Sequence, residues 1–275
     1  MPADPLHRRA RGVRSLAAGS GPARALAAVS CAALLAACGD GSRFGMPEPV
    51  SGDGEEVLGL WRGSILAALA VGALVWGLVV WAAIRYRRRN DDLPSQTPEN
   101  IPIELFYTAV PLVIVLVLFG FTVVTQERVT ALSDDPDVVV DVTAFQWSWT
   151  FGYPEEGVEV VSDGVSPPEL VVPVGATVRF ELDTVDVAHS FWVPELLTKR
   201  DMLPDVDNAI DVEVDRGGSW TGRCAEFCGL EHHAMLFTFT AVEPAAFDDW
   251  LEERRAAGDV LGPVDEEDVN EGVDG

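Results

Sequence analysis

Cys224-Ala225-Glu226-Phe227-Cys228-Gly229-Leu230-Glu231-His232-His233-Ala234-Met235 gathers two thiols, two imidazoles and a thioether within twelve residues. Two cysteines by themselves read as a disulfide, but a disulfide explains neither the imidazoles nor the methionine. Zinc takes thiolate and imidazole and seldom a thioether, whereas all three together are the ligand set of copper electron-transfer sites. A Cys-x-x-Cys-His haem attachment is excluded, because three residues separate the cysteines and Gly229 follows the second. A mononuclear blue-copper site uses one thiolate, and here one cysteine is left over. Two thiolates can bridge two copper ions, each ion taking one imidazole and one weaker ligand. The loop supplies His232 or His233 for one imidazole. The other comes from elsewhere, and His189 is the only remaining histidine besides His7 in the N-terminal leader.

The sequence around this loop alternates with period two. Leu236–Val242 follows it directly, and Phe191–Val193, Leu170–Pro173 and Val138–Phe151 are further apolar strand candidates. Ile210, Val212 and Val214 alternate with Asp211, Glu213 and Asp215, as do Val178, Phe180 and Leu182 with Arg179, Glu181 and Asp183. Short strands divided by Gly, Pro and Asp turns predict a β-sandwich or barrel of roughly 100 residues. A helix is expected from Pro244 to about Ala257, opened by the proline and stopped by Gly258. The acidic stretch from Asp259 has few large apolar groups and is expected to be disordered.

Farther upstream the composition changes. Three apolar blocks precede residue 125, and most of the acid behind the net charge of −25 follows it. That balance excludes nucleic acid, whose phosphates need Lys and Arg, and suits a basic protein partner. The block Ala25–Ala37 is short, follows Arg8, Arg9, Arg11, Arg14 and Arg24, and reads as a secretory signal. It ends Leu35-Ala36-Ala37-Cys38, which resembles the lipobox of bacterial lipoproteins and makes Cys38 the lipidation candidate. Ser64–Ile84 and Ile103–Val124 are each long enough to span a bilayer. Arg85, Arg87, Arg88 and Arg89 put the connection between them in the cytoplasm. Residues 126–275 are then extracytoplasmic. Glu104 stands at the cytoplasmic end of the second span, with Thr108 one turn deeper on its face. It reads either as a snorkelling edge acid or as the entrance to a proton path.

The loop Cys-x-Glu-x-Cys-Gly-x-x-His-x-x-Met, fully matched by Cys224 to Met235, resembles that of subunit II of the haem–copper cytochrome c oxidases. The segment His189-Ser190-Phe191-Trp192-Val193-Pro194 fits the family's first-ligand segment, Gln146-Trp147-Ser148-Trp149 its Gln-Trp-x-Trp, and Glu104, Thr108 and Pro111 its Glu-x-x-x-Thr-x-x-Pro. The resemblance implies a two-helix transmembrane hairpin followed by an all-β cupredoxin-like domain, a Greek-key sandwich or barrel. It implies the dinuclear CuA centre with His189, Cys224, Glu226 (through its backbone carbonyl), Cys228, His232 and Met235 as ligands, and so selects His232 over His233. It further implies a magnesium site facing the Glu226 side chain, electron entry at Trp147 (otherwise a core aromatic) and proton uptake at Glu104. The implied partners are oxidase subunits I and III, a separate c-type cytochrome donor, which can belong to a bc-complex supercomplex, and membrane lipid. No haem is expected in this chain. The implied place is a bacterial plasma membrane, with a proton-pumping oxidase reducing oxygen in subunit I.

The expected layout is a signal peptide at 1–37, an extracytoplasmic segment at 38–62, two spans within 63–125, the copper domain at 126–243, a helix at 244–258 and the acidic tail at 259–275. Two departures from the family pattern occur: Asp205 and Val206 follow Pro204 where Gly-Arg is common, and Phe145 stands where many members have His. Among rivals, a nitrous oxide reductase needs a propeller domain for which there is no room. Quinol oxidase subunits lack the copper ligands, and a tethered copper chaperone needs only one span.

Overall fold

The computed structural model describes residues 43–89, 96–162 and 166–261. The signal segment, Cys38 and residues 262–275 of the acidic tail lie outside the described residues.

Two long helices come first, α1 (Gly52–Arg85) and α2 (Ile101–Val129). Ser51 caps α1 by accepting the Gly54 N–H at 3.1 Å. Asn100 caps α2, and Glu104 Oε1 reaches back to accept the Asn100 N–H at 2.8 Å, a reciprocal cap. The apolar windows of both helices have no buried residue, so both are hydrophobic on every side. A helix apolar all round belongs in hydrocarbon. The pair anchors the chain in a membrane.

Each helix outruns the expected span, and α1 begins twelve residues before it, at Gly52 instead of Ser64. The cause is packing. Leu58 is fully buried, and a Cβ on Gly54 would meet the Leu196 carbonyl oxygen at 3.1 Å, so this end of α1 lies against the β domain. The chain just before it is stitched to the same domain. Val50 donates to Glu195 O at 3.1 Å, Asp215 donates to Val50 O at 2.9 Å, and Arg216 pairs with Glu48 at 2.8 Å.

The β domain is a sandwich of two five-stranded sheets. Its strands are β1 (Val138–Phe145), β2 (Ser148–Tyr153), β3 (Val158–Val161), β4 (Glu169–Pro173), β5 (Thr177–Thr184), β6 (His189–Val193), β7 (Thr198–Met202), β8 (Asn208–Glu213), β9 (Gly218–Cys224) and β10 (Leu236–Val242). One sheet runs β3-β2-β1-β5-β8 and the other β4-β10-β9-β6-β7. β1 pairs with β5, and β4 with β10, in parallel; the remaining pairs are antiparallel. Alternate residues of β1 and β5 are buried, which is why the period-two signal was legible there.

Aromatic rings fill the space between the sheets. Phe191 and Phe237 stack at 5.1 Å, with Trp149 edge-on to both. Gly222 makes room for this cluster, since a Cβ there would fall 2.0 Å from the Phe237 ring. At the opposite end, α3 (Pro244–Ala257) buries Phe247 and Leu251 against the sandwich. A half-buried ion pair, Arg179–Asp211 at 2.8 Å, holds the connection from α2. Asp211 also accepts the Ser133 N–H, and Arg179 donates to the Ser133 carbonyl.

Three expectations change. Val138–Phe151 is two strands, broken at Gln146-Trp147. Trp147 therefore leaves the face it would have shared with Trp149: Trp149 is fully buried in the core, and Trp147 stands in the turn. The tail does not become irregular at Asp259, because Asp259 O accepts the Glu159 N–H and Val260 bridges Val158, covering the edge of β3. That edge offers unpaired backbone groups to which an acidic chain can still bind.

Candidate metal centre

Three elements converge at one end of the sandwich. His189 opens β6, Cys224 closes β9, and the loop after it carries Cys228 and the short 3-10 turn His232–Ala234 before Met235. The Ala225 N–H donates to the Ser190 carbonyl and the Cys224 N–H to the Met235 carbonyl, so the loop is sewn to both neighbouring strands.

The ligand-type atoms form a compact group. Cys224 Sγ and Cys228 Sγ lie 3.9 Å apart; His189 Nδ1 is 3.7 Å from Cys224 Sγ, and His232 Nδ1 is 3.5 Å from Cys228 Sγ. Met235 Sδ is 3.7 Å from Cys228 Sγ, and the Glu226 carbonyl oxygen 3.1 Å from Cys224 Sγ. His189, Cys224 and Cys228 have one ligand atom each within 4.8 Å of the others and are buried. A separation of 3.9 Å is within reach of two metal–thiolate bonds of about 2.3 Å each. The donor set is soft, and it matches copper better than zinc through the buried thioether. His233, next to His232, is exposed.

Electrostatics favour one thiolate before the other. Burial opposes ionisation of Cys224, but hydrogen bonding with His189 and with the backbone at Glu226 and Ser190 outweighs it, lowering the thiol to about 7. Cys228 is pushed up to about 12, first by burial and then by the charge of Cys224 beside it. A cation between the sulfurs removes that repulsion, so metal binding and loss of the second proton go together.

Two residues absent from the sequence-based set hold the centre. Asp186 Oδ1 lies 2.9 Å from His189 Nε2 and accepts the Val187 N–H at 2.6 Å, while Oδ2 accepts the Gln146 N–H at 2.7 Å. Burial raises the Asp186 carboxyl, but these hydrogen bonds more than offset it and hold it below the usual carboxylate range. The ionised acid fixes the proton on Nε2 and leaves Nδ1 to face the thiols. Gln146 is the second: its Nε2 donates to the Cys228 carbonyl at 2.7 Å, beside Trp147 Nε1 at 3.1 Å. An acid three residues before a candidate histidine ligand is a spacing that could have flagged Asp186; Gln146 stood in the Gln-Trp-x-Trp segment, but without any role at the metal centre.

Gly229 completes the contact. Its φ is +122°, and a Cβ there would meet Gln146 Nε2 at 3.0 Å and the Trp147 ring at 3.2 Å. Trp147 is thereby set directly against the ligand loop. Glu104 lies apart from this centre, in the first turn of α2.

Comparison with known proteins agrees with this arrangement. The family model described as the transmembrane domain of cytochrome c oxidase subunit II matches residues 40–123, and the model of the periplasmic domain of that subunit matches residues 165–242. A Nocardia farcinica protein named probable cytochrome c oxidase subunit 2 is 39% identical over 280 residues, covering 78% of this chain and 75% of the relative. The Mycobacterium tuberculosis H37Rv protein named cytochrome c oxidase subunit 2 is 34% identical over 303 residues, covering 85% and 84%. The crystal structure of the periplasmic domain of subunit II of cytochrome oxidase from Bradyrhizobium japonicum is 28% identical, with a TM-score of 0.42, and covers 46% of this chain and 99% of that one. With helix hairpin and β domain matched in order, and relatives alike over most of their length, the chain belongs to the cytochrome c oxidase subunit II family, a membrane-anchored part of a haem–copper oxidase.

Proposed function

We propose that this chain takes single electrons from a c-type cytochrome at a two-copper CuA centre and hands them to haem in subunit I, where oxygen is reduced. The observation that carries the reading is the convergence of His189, Cys224, the Glu226 carbonyl, Cys228, His232 and Met235 on two neighbouring sulfurs. Two copper ions would be held by His189, Cys224, the Glu226 carbonyl, Cys228, His232 and Met235, and would supply one-electron transfer.

The chain's own residues do the rest. Asp186 holds the His189 ring, and the buried strand ends keep water from the thiolates. Trp147 receives the electron: its Nε1–H bonds to the carbonyl of Cys228, so a short bonded route leads from the half-buried indole to a ligand. The Glu226 side chain is exposed beside the loop and is free to join a magnesium ion at the boundary with subunit I. Glu104 serves proton uptake from the cytoplasm into that subunit. One of its oxygens caps α2, leaving the other to exchange a proton, and Thr108 Oγ1 donates to the Glu104 carbonyl at 2.8 Å. Proton pumping belongs to the assembled oxidase in a bacterial plasma membrane. The same reading keeps Cys38 as a lipid attachment point and residues 1–37 as a cleaved signal.

Electron paramagnetic resonance on the full chain in detergent, loaded with copper, tests the centre. The expected spectrum is that of one electron shared by two coppers, lost in Cys228→Ser. A single-copper signal, or preference for zinc, overturns the reading.

A further inference from the structure

The ligand loop is fastened to the sandwich at its two ends. The Cys224 N–H donates to the Met235 carbonyl, and the Ala225 N–H to the Ser190 carbonyl, each at 3.0 Å. Between these ends, among the described residues, Glu226–Ala234 hydrogen-bonds to the rest of the domain at one atom, the Cys228 carbonyl oxygen. Two donors meet that oxygen, Gln146 Nε2 at 2.7 Å and Trp147 Nε1 at 3.1 Å, one for each of its lone pairs. Gly229 leaves them room, since a Cβ there would stand 3.0 Å from Gln146 Nε2.

Both donors come from the two-residue turn between β1 and β2, and Gln146 is itself held from behind. Its backbone N–H donates to Asp186 Oδ2 at 2.7 Å, and Asp186 Oδ1 lies 2.9 Å from His189 Nε2. A line of hydrogen bonds thus runs from one imidazole through Asp186 and Gln146 to Cys228, joining two loops and a turn without passing through the metal. The bond from Gln146 to Cys228 reaches across 82 positions of sequence, so the turn does not need it for its own shape. Gln146 is also exposed, whereas Cys228 is buried. The side chain therefore leans inward onto the loop from the surface and fills no space in the core.

We propose that Gln146 is a positioning residue: it latches the ligand loop shut over the copper pair and tilts that pair toward its reduced state. This deepens, and rests on, the reading of the chain as a copper carrier. With Gln146 gone, the middle of the loop hangs on Trp147 alone, so it opens more often and releases metal faster. The second effect is electrostatic. The positive end of the N–H dipole faces a residue that ligates the metal, in a setting less polar than water, and there it stabilises an added electron. Loss of that donor lowers the reduction potential.

The test uses the full chain in detergent, loaded with copper, as wild type, Gln146→Met and Gln146→Lys. Met keeps the length of the side chain and donates nothing; Lys offers an N–H donor again. Copper loss to excess chelator is timed, the reduction potential is titrated, and the paramagnetic resonance spectrum is recorded. Gln146→Met is expected to keep the two-copper spectrum, to lose copper about tenfold faster, and to have a lower potential. Gln146→Lys is expected to return copper loss toward the wild-type rate, with a potential no lower than wild type. Release and potential equal to wild type in Gln146→Met overturn the proposal. So does a Gln146→Lys chain that loses copper as fast as Gln146→Met, because donation would then not be what matters. Should Gln146→Met fail to fold, Trp147→Phe reads the same latch from its other donor: faster copper loss supports it, and loss at the wild-type rate overturns it. A wild-type chain without the two-copper spectrum would sink the carrier reading, and the latch with it.

Discussion

Asp186 and His189 are bound to each other in the structure, carboxylate oxygen to Nε2 at 2.9 Å, and the second oxygen of the same carboxylate grips the backbone of Gln146. One side chain therefore sets the ring of a metal ligand and the turn that carries Trp147. Removing it disturbs both. Asp186→Ala should weaken copper binding by about 10–100-fold, the usual cost of losing such a partner. Copper competition titration on the full chain measures this, and affinity equal to wild type would show that the ring is held by packing alone.

Trp147→Phe keeps an aromatic in the turn and deletes the N–H that reaches the Cys228 carbonyl. Electron entry from a reduced c-type cytochrome should slow while the copper spectrum stays as it was. Stopped-flow reduction of the complex separates the two, and unchanged entry kinetics would remove Trp147 from the route.

Gly222→Ala puts a methyl group into the Phe237 ring, where the gap is 2.0 Å. The clash is with the aromatic cluster behind Cys224, so the ring must leave its stack with Phe191. Overpacking of this kind costs about 1–3 kcal/mol, seen as a lower melting temperature for the full chain. A melting temperature at or above wild type would mean that Phe237 has another place to go.

Asp201 contributes a pH dependence with a definite sign. Its carboxyl is held below the ordinary range by Lys199 and then by Ser190, whose Oγ donates to it at 2.8 Å. A depressed acid stabilises the fold above its unfolded value of about 3.9, and that contribution disappears as pH falls through the lower folded value. Asp201→Asn should therefore flatten the acid end of the stability curve and leave less change between pH 5 and pH 2. Acid titration of the far-ultraviolet signal checks it, and parallel curves for variant and wild type would count against the pairing.

Glu104→Ala should slow oxygen-consuming turnover of the complex while leaving copper reduction fast, because the change falls on proton supply. It also removes the cap on the Asn100 N–H, so Glu104→Gln serves as the comparison that keeps an acceptor there. If Gln restores turnover, capping is what matters and proton uptake is not.

The parts of this structure that could be read from sequence were those governed by local rules. Cys224, Cys228, Met235 and the neighbours His232 and His233 sit in one loop, and ligand chemistry singled out that loop without any knowledge of the fold, while the choice of His232 over His233 came from the family resemblance. The alternation along β5 and β8 showed their buried faces directly. What escaped was set by distant contacts. The true start of α1 depends on Leu196 and Glu195, some 140 residues away. Strand β7, Thr198–Met202, holds Lys199, Arg200 and Asp201 and carries no apolar alternation to announce it. Gln146 and Trp147 looked like the middle of a strand, and only the approach of Gly229 and the Cys228 carbonyl shows why the chain turns there.

The stitching of Val50, Gly54 and Leu58 to the β domain has a consequence for traffic through the protein. A domain joined at one flexible point could swing, collecting its cargo in one place and unloading it in another. Here the first turns of α1 and the turn after β6 are a single packed piece, so the domain stands on the bilayer as a fixed pier. The height of the metal centre above the first turns of α1 is set once, when the chain folds.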